Sequence, residues 1–376
     1  MIVWREKKIM KPYKIFAELI EQDALDQFHQ AMEQKFVVKG ALMPDAHKGY
    51  SLPIGAVVAT KNVIVPSWVG YDIGCGMCAI PTSFTLSDIY QNAQAIWARI
   101  QEAIPVGFNH HDTHQTWDRY STIEKTETAI NIFNYKNGIG WRQLGTLGGG
   151  NHFIEIGSDE NGVIWIIVHS GSRGIGHAIA THYMKIAGGG KAREGSYGLD
   201  VNSPNGKDYI IDLNFALEFA LENRFKIINQ VSNVIEEYCK GSLDWSCFIN
   251  RNHNHAEEKD GLWIHRKGAT HAEAGMEGVI PGNMRDGSFI VVGKGNPESL
   301  YSSSHGAGRV LGRNVAKKIL DINDFTETMK GIVANVDDST LDESPFAYKN
   351  IFDVMKQQEE LVSVKYYVKP IINVKG

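Results

Sequence analysis

The chain has 376 residues, 43% of them hydrophobic, and a formal net charge of −5. That length suits one large domain or two ordinary ones, with enough apolar content for a buried core. The acidic balance excludes a uniformly basic nucleic-acid binder, so any nucleic-acid role needs a local basic cleft. No stretch approaches the roughly 18 consecutive apolar residues of a membrane-spanning helix. Met1 to Met10 mixes Arg5, Glu6, Lys7 and Lys8 with apolar residues and lacks the apolar core of a secretory signal. The cytoplasm is therefore the expected compartment. Four cysteines make no disulfide framework; Cys75 and Cys78 form one CxxC, with Cys239 and Cys247 far away.

In chain order, residues 14–36 read as mostly helical, with Ile15, Phe16, Leu19, Ile20 and Leu25 as the apolar positions. Gly55 to Pro66 has β-branched runs on either side of Lys61-Asn62, which predicts a hairpin. Trp165 to Val168 reads as a short strand ending at His169. Residues 214–238 form the clearest amphipathic helix, carried by Phe215, Phe219, Ile227, Val231 and Val234. Leu262 to Ile264 is a strand ending at His265, and Phe289 to Val292 is another. Val310 to Leu320 reads as a helix with Lys317 and Lys318 in its last turn, where the dipole favours cations. Strands and helices do not alternate regularly, so the expected class is α+β rather than doubly wound. Nothing marks an internal boundary. Residues 1–376 are read as one domain, with residues 1–10 as a dispensable extension.

Chemistry concentrates in glycine-rich segments: MPDAHKGYSLPIG at 43–55, VGYDIGCGMC at 69–78, LGTLGGGNHFIEI at 144–156 and VHSGSRGIGH at 168–177. NHNHA at 252–256, HRKGATHA at 265–272 and SSSHGAGR at 302–309 follow. Glycine lets backbone approach a ligand closely, and runs of N–H groups make anion-binding concavities. His, Asp and Cys beside them offer N, O and S ligands, a mix suited to Mn²⁺, Zn²⁺ or Fe²⁺ rather than Ca²⁺ or Mg²⁺. The sum points to metal-assisted phosphoryl or nucleotidyl transfer. The common nucleotide signatures, a G-x-x-x-x-G-K-[ST] loop or a G-x-G-x-x-G opening a helix, are absent.

In order over roughly residues 40–376, MPDAHKGYSLPIGA, GYDIGCG, LGGGNHFIEI, HSGSRGIGH, HRKGAT, SSSHGAGR and the terminal VKG resemble the RtcB-type RNA ligases. The resemblance implies GTP- and Mn²⁺-dependent joining of an RNA 3′-phosphate or 2′,3′-cyclic phosphate to a 5′-hydroxyl. In that scheme His305 becomes guanylylated, with Gly306, Ala307 and Gly308 leaving room for the nucleotide and the next helix presenting its N-terminus. Asp72, Cys75, His152, His169 and His253 match ligands of two Mn²⁺ ions, Cys75 bridging. His253 is preferred to His255 because the family has His-Asn here.

The same resemblance implies that Asn151, Glu155, Ser288, Tyr348 and Lys375 contact the nucleotide, with Tyr348 as a stacking face. Asn283 stands where the family more often has Ser. Arg173, Lys267 and Arg309 match phosphate-binding positions, and Asp45 an acidic position near the 5′-hydroxyl. Arg266 and Arg313 are read as additions to an RNA-binding surface. Cys78 reads as a small buried hydrophobe. Asn109-His110-His111-Asp112-Thr113-His114 looks like a second metal site but reads as an exposed loop. The compact regions between residues 177 and 250 and after Thr270 suggest a trimmed subgroup acting in RNA repair rather than tRNA splicing. An activating protein partner stays open. Two other readings compete: a metal-dependent RNA phosphoesterase or nuclease, which would not need His305, Tyr348 or Lys375, and a non-catalytic RNA-binding protein.

Overall fold

The computed structural model describes residues 11–191 and 194–376; the extension at residues 1–10 lies outside them. An eight-stranded sheet positions the site. Its order is Glu277–Pro281, Ser288–Gly293, Val362–Lys375, Phe153–Ser158, Ile164–Ser170, Gly76–Pro81 and Ile249–Asn252, with Val333–Ala334 beside Val362–Lys375. The sheet curls until its edges approach, and Arg251 Nε donates to the Glu277 carbonyl at 3.2 Å.

Curling buries both faces of the central strands, which is why Ile164–Ser170 reads as a continuous apolar run rather than an alternating one. Side chains still alternate across the strand. Ile164, Ile166 and Val168 pack outward with Ile154, Ile156, Cys78 and Ile80 against the helices Leu86–Ala103 and Pro204–Glu236. Trp165 and Ile167 pack inward with Met77, Ala79, Phe153 and Val368. The same parity sends His169 and Glu155 to the inner face and Cys78 to the outer one, where it is fully buried.

A second, five-stranded sheet runs Tyr13–Ile15, Val37–His47, Ile54–Thr60, Leu262–Lys267, Asn254–Lys259. The fold is α+β, as the irregular element order implied. The long helix spans Pro204–Glu236, starting earlier than the apolar pattern because Ser203 caps Gly206 N–H and Pro204 occupies the first turn.

Three local expectations need correction. Residues 14–36 are not one helix: Tyr13–Ile15 pairs in parallel with Gly40–Leu42, and only Gln22–Met32 is helical. Lys61-Asn62 does turn, with Asn62 at φ 60°. However, Val63–Ile64 pairs with Leu199–Asp200, while Ile54–Thr60 is already flanked on both edges, so no hairpin closes. The helix expected at Val310–Leu320 is shorter, Arg313–Ile319. A loop, not a helix N-terminus, therefore follows His305. Among the described residues no helix is long and apolar enough to cross a membrane.

Candidate metal and nucleotide-transfer site

Strand ends and the turns beside them converge at one mouth of the curled sheet. Asp72 and Cys75 sit in the turn before Gly76–Pro81, His152 just before Phe153–Ser158, His169 within Ile164–Ser170, and His253 between Ile249–Asn252 and Asn254–Lys259. The structure brings all five together as two trios that share Cys75. One is Cys75, His169 and His253; the other is Asp72, Cys75 and His152. Cys75 Sγ lies 3.2 Å from His169 Nε2 and 3.4 Å from His152 Nε2. His169 Nε2 faces His253 Nε2 at 3.4 Å, and His152 Nε2 is 3.1 Å from Asp72 Oδ2.

The donor set fits a metal pair on tautomer grounds. His152 Nδ1 donates to the Leu147 carbonyl at 3.0 Å and His169 Nδ1 to the Asn151 carbonyl at 3.1 Å. Each ring's proton is therefore held outward and its Nε2 lone pair turned inward, the arrangement that orients imidazole ligands. Burial holds the His169 and His253 rings well below their ordinary pKa, so they stay neutral. Burial, and then Asp72, push the Cys75 thiol well up; a bound cation would reverse that and draw out the thiolate.

Residues that sequence reading passed over hold this frame. Arg224, fully buried on the long helix, donates through Nη1 to the carbonyls of Gly74 and Ser170 at 2.8 Å each. Its Nε and Nη2 reach Asn250 Oδ1 and Asn252 Oδ1 at 2.7 and 2.6 Å. One guanidinium thus ties together three segments that carry Cys75, His169 and His253. A polar Asn223-Arg224 pair within an apolar helical face was the available signal.

His305 follows the strand Ser302–Ser304. Its Nδ1–H donates to Asp45 Oδ2 at 2.6 Å, and its backbone N–H reaches the same oxygen at 3.1 Å. Asp45 is fully buried. Its carboxylate is thus committed to the histidine, which leaves His305 Nε2 as the lone-pair nitrogen. Gly308 lies at φ +76°, and a Cβ there would run into the Asp45 carbonyl. The His305 ring packs edge-on against His253, with centroids 4.7 Å apart.

A narrow cavity of about 50 Å³ opens beside His305. Asn151, Glu155, Asn283, Gly306, Ala307, Tyr348 and Lys375 border it. Glu155 is buried, and burial pushes its carboxyl up to about 8, only partly offset by Ser288 and Lys375. Ser288 is buried on Ser288–Gly293, with Val362–Lys375 between its strand and that of Glu155. The Asn283 amide is already used: it donates to Asp286 at 2.7 Å and accepts from the backbone of Arg285 and Asp286 at 3.0 Å each.

Glu343, which no motif marked, is the hub of this wall. It accepts from Lys375 Nζ at 2.6 Å, Tyr348 Oη at 2.7 Å, Arg309 Nη1 at 3.1 Å and Arg313 Nη1 at 2.6 Å. Lys375 and Arg313 hold its carboxyl down at about 2 despite burial. Arg309 also covers one face of the Tyr348 ring, 4.8 Å from its centroid.

Lys267 lines a wider cleft of about 770 Å³ that His305 and Arg313 also border. Its ammonium donates to the Ser67 carbonyl at 3.2 Å, and burial brings its pKa down to about 8. Arg173, at φ 58°, borders a third cavity of about 400 Å³ with Asp72 and His152, and donates to Thr146 Oγ1 and the Gly107 carbonyl.

Arg266 is not on an RNA-facing surface. It is fully buried, donating to Ser302 Oγ at 2.8 Å, to Glu257 at 2.5 Å and to His255 Nε2 at 3.1 Å. This contact commits His255 Nε2 to Arg266. His255, Glu257 and His271 stand within ligand distance of one another, but the guanidinium already occupies two of them. His110, His111 and His114 face backbone carbonyls of His111, Gly145 and Asn137. They pin their loop rather than point at a common centre.

The family model described as "tRNA-splicing ligase RtcB" matches residues 27–376. The "RNA-splicing ligase RtcB" of Escherichia coli K12 is 35% identical, covering 95% of each chain. The "RNA-splicing ligase RtcB homolog 2" of Entamoeba dispar is 30% identical over 90% of this chain and 81% of its own. The "tRNA-splicing ligase RtcB" of Nanoarchaeum equitans is 27% identical over 99% of this chain and 97% of its own.

Proposed function

This chain belongs to the RtcB family of RNA ligases, and we propose that it joins RNA ends bearing a 3′-phosphate or 2′,3′-cyclic phosphate to ends bearing a 5′-hydroxyl, with GTP as co-substrate and His305 as the guanylylated nucleophile. The observation that carries this reading is the His305–Asp45 contact at 2.6 Å. A neutral imidazole is the nucleophilic form, and a buried carboxylate on Nδ1–H leaves Nε2 free to attack. That nitrogen would bond to the α-phosphorus of GTP as pyrophosphate leaves. GMP would then pass to the RNA 3′-phosphate, and the 5′-hydroxyl would displace it. Position and charge neutralisation supply most of such catalysis.

Asp72, Cys75, His152, His169 and His253 would hold two Mn²⁺ ions, which when bound neutralise phosphate charge. Asn151, Glu155, Ser288, Tyr348 and Lys375 would line the guanine, with Asn283 nearby. Arg173, Lys267 and Arg309 would meet phosphates. We assign the cytoplasm as the working compartment. A phosphoesterase would use the metal ligands equally well but has no need of a histidine pre-set by Asp45.

The test uses purified protein, Mn²⁺ and GTP labelled at the α-phosphate. Acid-labile label should remain on the denatured chain and be absent from His305→Ala. No label from protein with metal in place would overturn the ligase mechanism in favour of the phosphoesterase.

A further inference from the structure

Three segments of the chain meet beside His305, and Lys349 ties them together. Its Nζ donates to the carbonyls of Pro44 at 3.1 Å and Ala46 at 2.8 Å, the two residues that flank Asp45. Its backbone N–H donates to the Gly308 carbonyl at 2.9 Å. Val310 N–H reaches the Ala347 carbonyl at 2.9 Å, and Arg309 pairs with Tyr348, so residues 347–349 lie along the loop that follows His305. Lys349 itself borders neither the narrow cavity nor the wider cleft.

Asp45 is short of partners. Its Oδ2 accepts from both the backbone and the ring of His305. Its Oδ1 is buried and has no hydrogen-bond partner among the described residues. A buried carboxylate in that state needs a nearby cation to stay charged. Burial pulls the Lys349 pKa down, and Asp45 opposes that shift, so the two charges act on each other. The ammonium therefore grips the main chain on either side of Asp45 and offsets its charge. The backbone of the same residue grips the loop that carries the nucleophile.

Resting on the ligase reading, we infer that Lys349 is a positioning residue for His305: it keeps the Asp45 carboxylate charged and in place, and so keeps the imidazole aimed. Attack on phosphorus tolerates little misplacement, an error of about 1 Å costing roughly 10²-fold in rate. The competing role is a prop for Tyr348, the preceding residue, and through it for the nucleotide wall. The two roles separate in kinetics. A prop for Tyr348 governs how tightly GTP binds, whereas the aim of His305 governs how fast bound GTP is attacked.

The test follows the full chain with Mn²⁺ and GTP labelled at the α-phosphate, in single turnover over a range of GTP concentrations. Lys349→Met keeps the apolar stem and removes the ammonium. Its maximal guanylylation rate should fall roughly 10²-fold, with the half-saturating GTP concentration unchanged. Lys349→Arg, which restores the charge and its donors, should recover most of that loss. A thermal melt checks that each variant is folded, and if Lys349→Met is not, the neutral Lys349→Gln takes its place with the same expected fall. A wild-type rate in the neutral variant, or a loss confined to GTP affinity, overturns the inference. So does Lys349→Arg as slow as the neutral variant. Wild-type protein that takes up no label sinks the ligase reading and this inference with it; labelled wild type with an unimpaired variant sinks this inference alone.

Discussion

Replacing Glu155 with Gln isolates the energetics of the narrow cavity. The carboxyl is buried on the inner face and its pKa lies near 8, whereas in the unfolded chain it titrates at about 4.3. Between these values the native state keeps a proton that the unfolded state has lost. Stability from this group therefore falls as pH rises through that window. Each pH unit costs about 1.4 kcal/mol, so wild-type protein should lose about 2.5 kcal/mol from this group between about pH 5 and pH 7. Glu155→Gln keeps the shape and removes the titration. Urea unfolding of both proteins across that range should show the difference in stability moving toward the variant by that amount. Parallel pH curves would refute the reasoning, since they would mean that the folded carboxyl is already ionised. The same proton bears on recognition. If Glu155 accepts from guanine it must ionise, so GTP binding near neutral pH should release about one proton in wild type and none through this position in Glu155→Gln.

Asp45→Asn keeps the contact with His305 but no longer selects the Nδ1–H tautomer, and the guanylylation rate should fall roughly 10²- to 10⁴-fold. A single-turnover rate close to wild type would remove Asp45 from that role. Because Cys75 belongs to both trios, Cys75→Ala should lose both metal ions while His152→Ala retains one; equal losses by elemental analysis would contradict a shared ligand. Arg266→Met removes the buried hydrogen bonds to Ser302 and His255 as well as the partner of the partly exposed Glu257, and should cost about 1–3 kcal/mol in urea unfolding. Wild-type stability with weakened RNA binding would restore Arg266 to a surface role.

The sequence reading marked the five residues that the structure gathers at one mouth of the sheet, Asp72, Cys75, His152, His169 and His253, because they lie in glycine-rich segments or beside strand ends. The alternation within Ile164–Ser170 even separates His169 from its outward neighbours. His253 could be told from His255 only by the family's His-Asn pair, and geometry supplies the reason, since His255 is held by Arg266. Arg266 itself defeated the sequence reading because both faces of Leu262–Lys267 are covered: His265, Arg266 and Lys267 are all buried. Alternation cannot reveal that. The Lys61-Asn62 turn was readable, but its partner strand at Leu199–Asp200 lies far along the chain. Glu343 left no trace because it sits in a short 3₁₀ turn, Leu341–Glu343, whose meaning comes only from the four side chains that reach it.

The pairing of Phe153 with Lys375 and of Glu155 with Asn373 also has a consequence for how the site comes into being. These partners lie some two hundred residues apart, so the loop they close is long and its closure is an entropic barrier rather than a local event. The pocket beside His305 has one wall from each strand and cannot exist in a partly folded chain that lacks this pairing. The side chains proposed as metal ligands, from Asp72 to His253, can gather earlier in folding than the cavity that Lys375 completes. Partially folded molecules would then capture metal without being able to hold nucleotide, and competence for transfer would arrive with the last strand to dock.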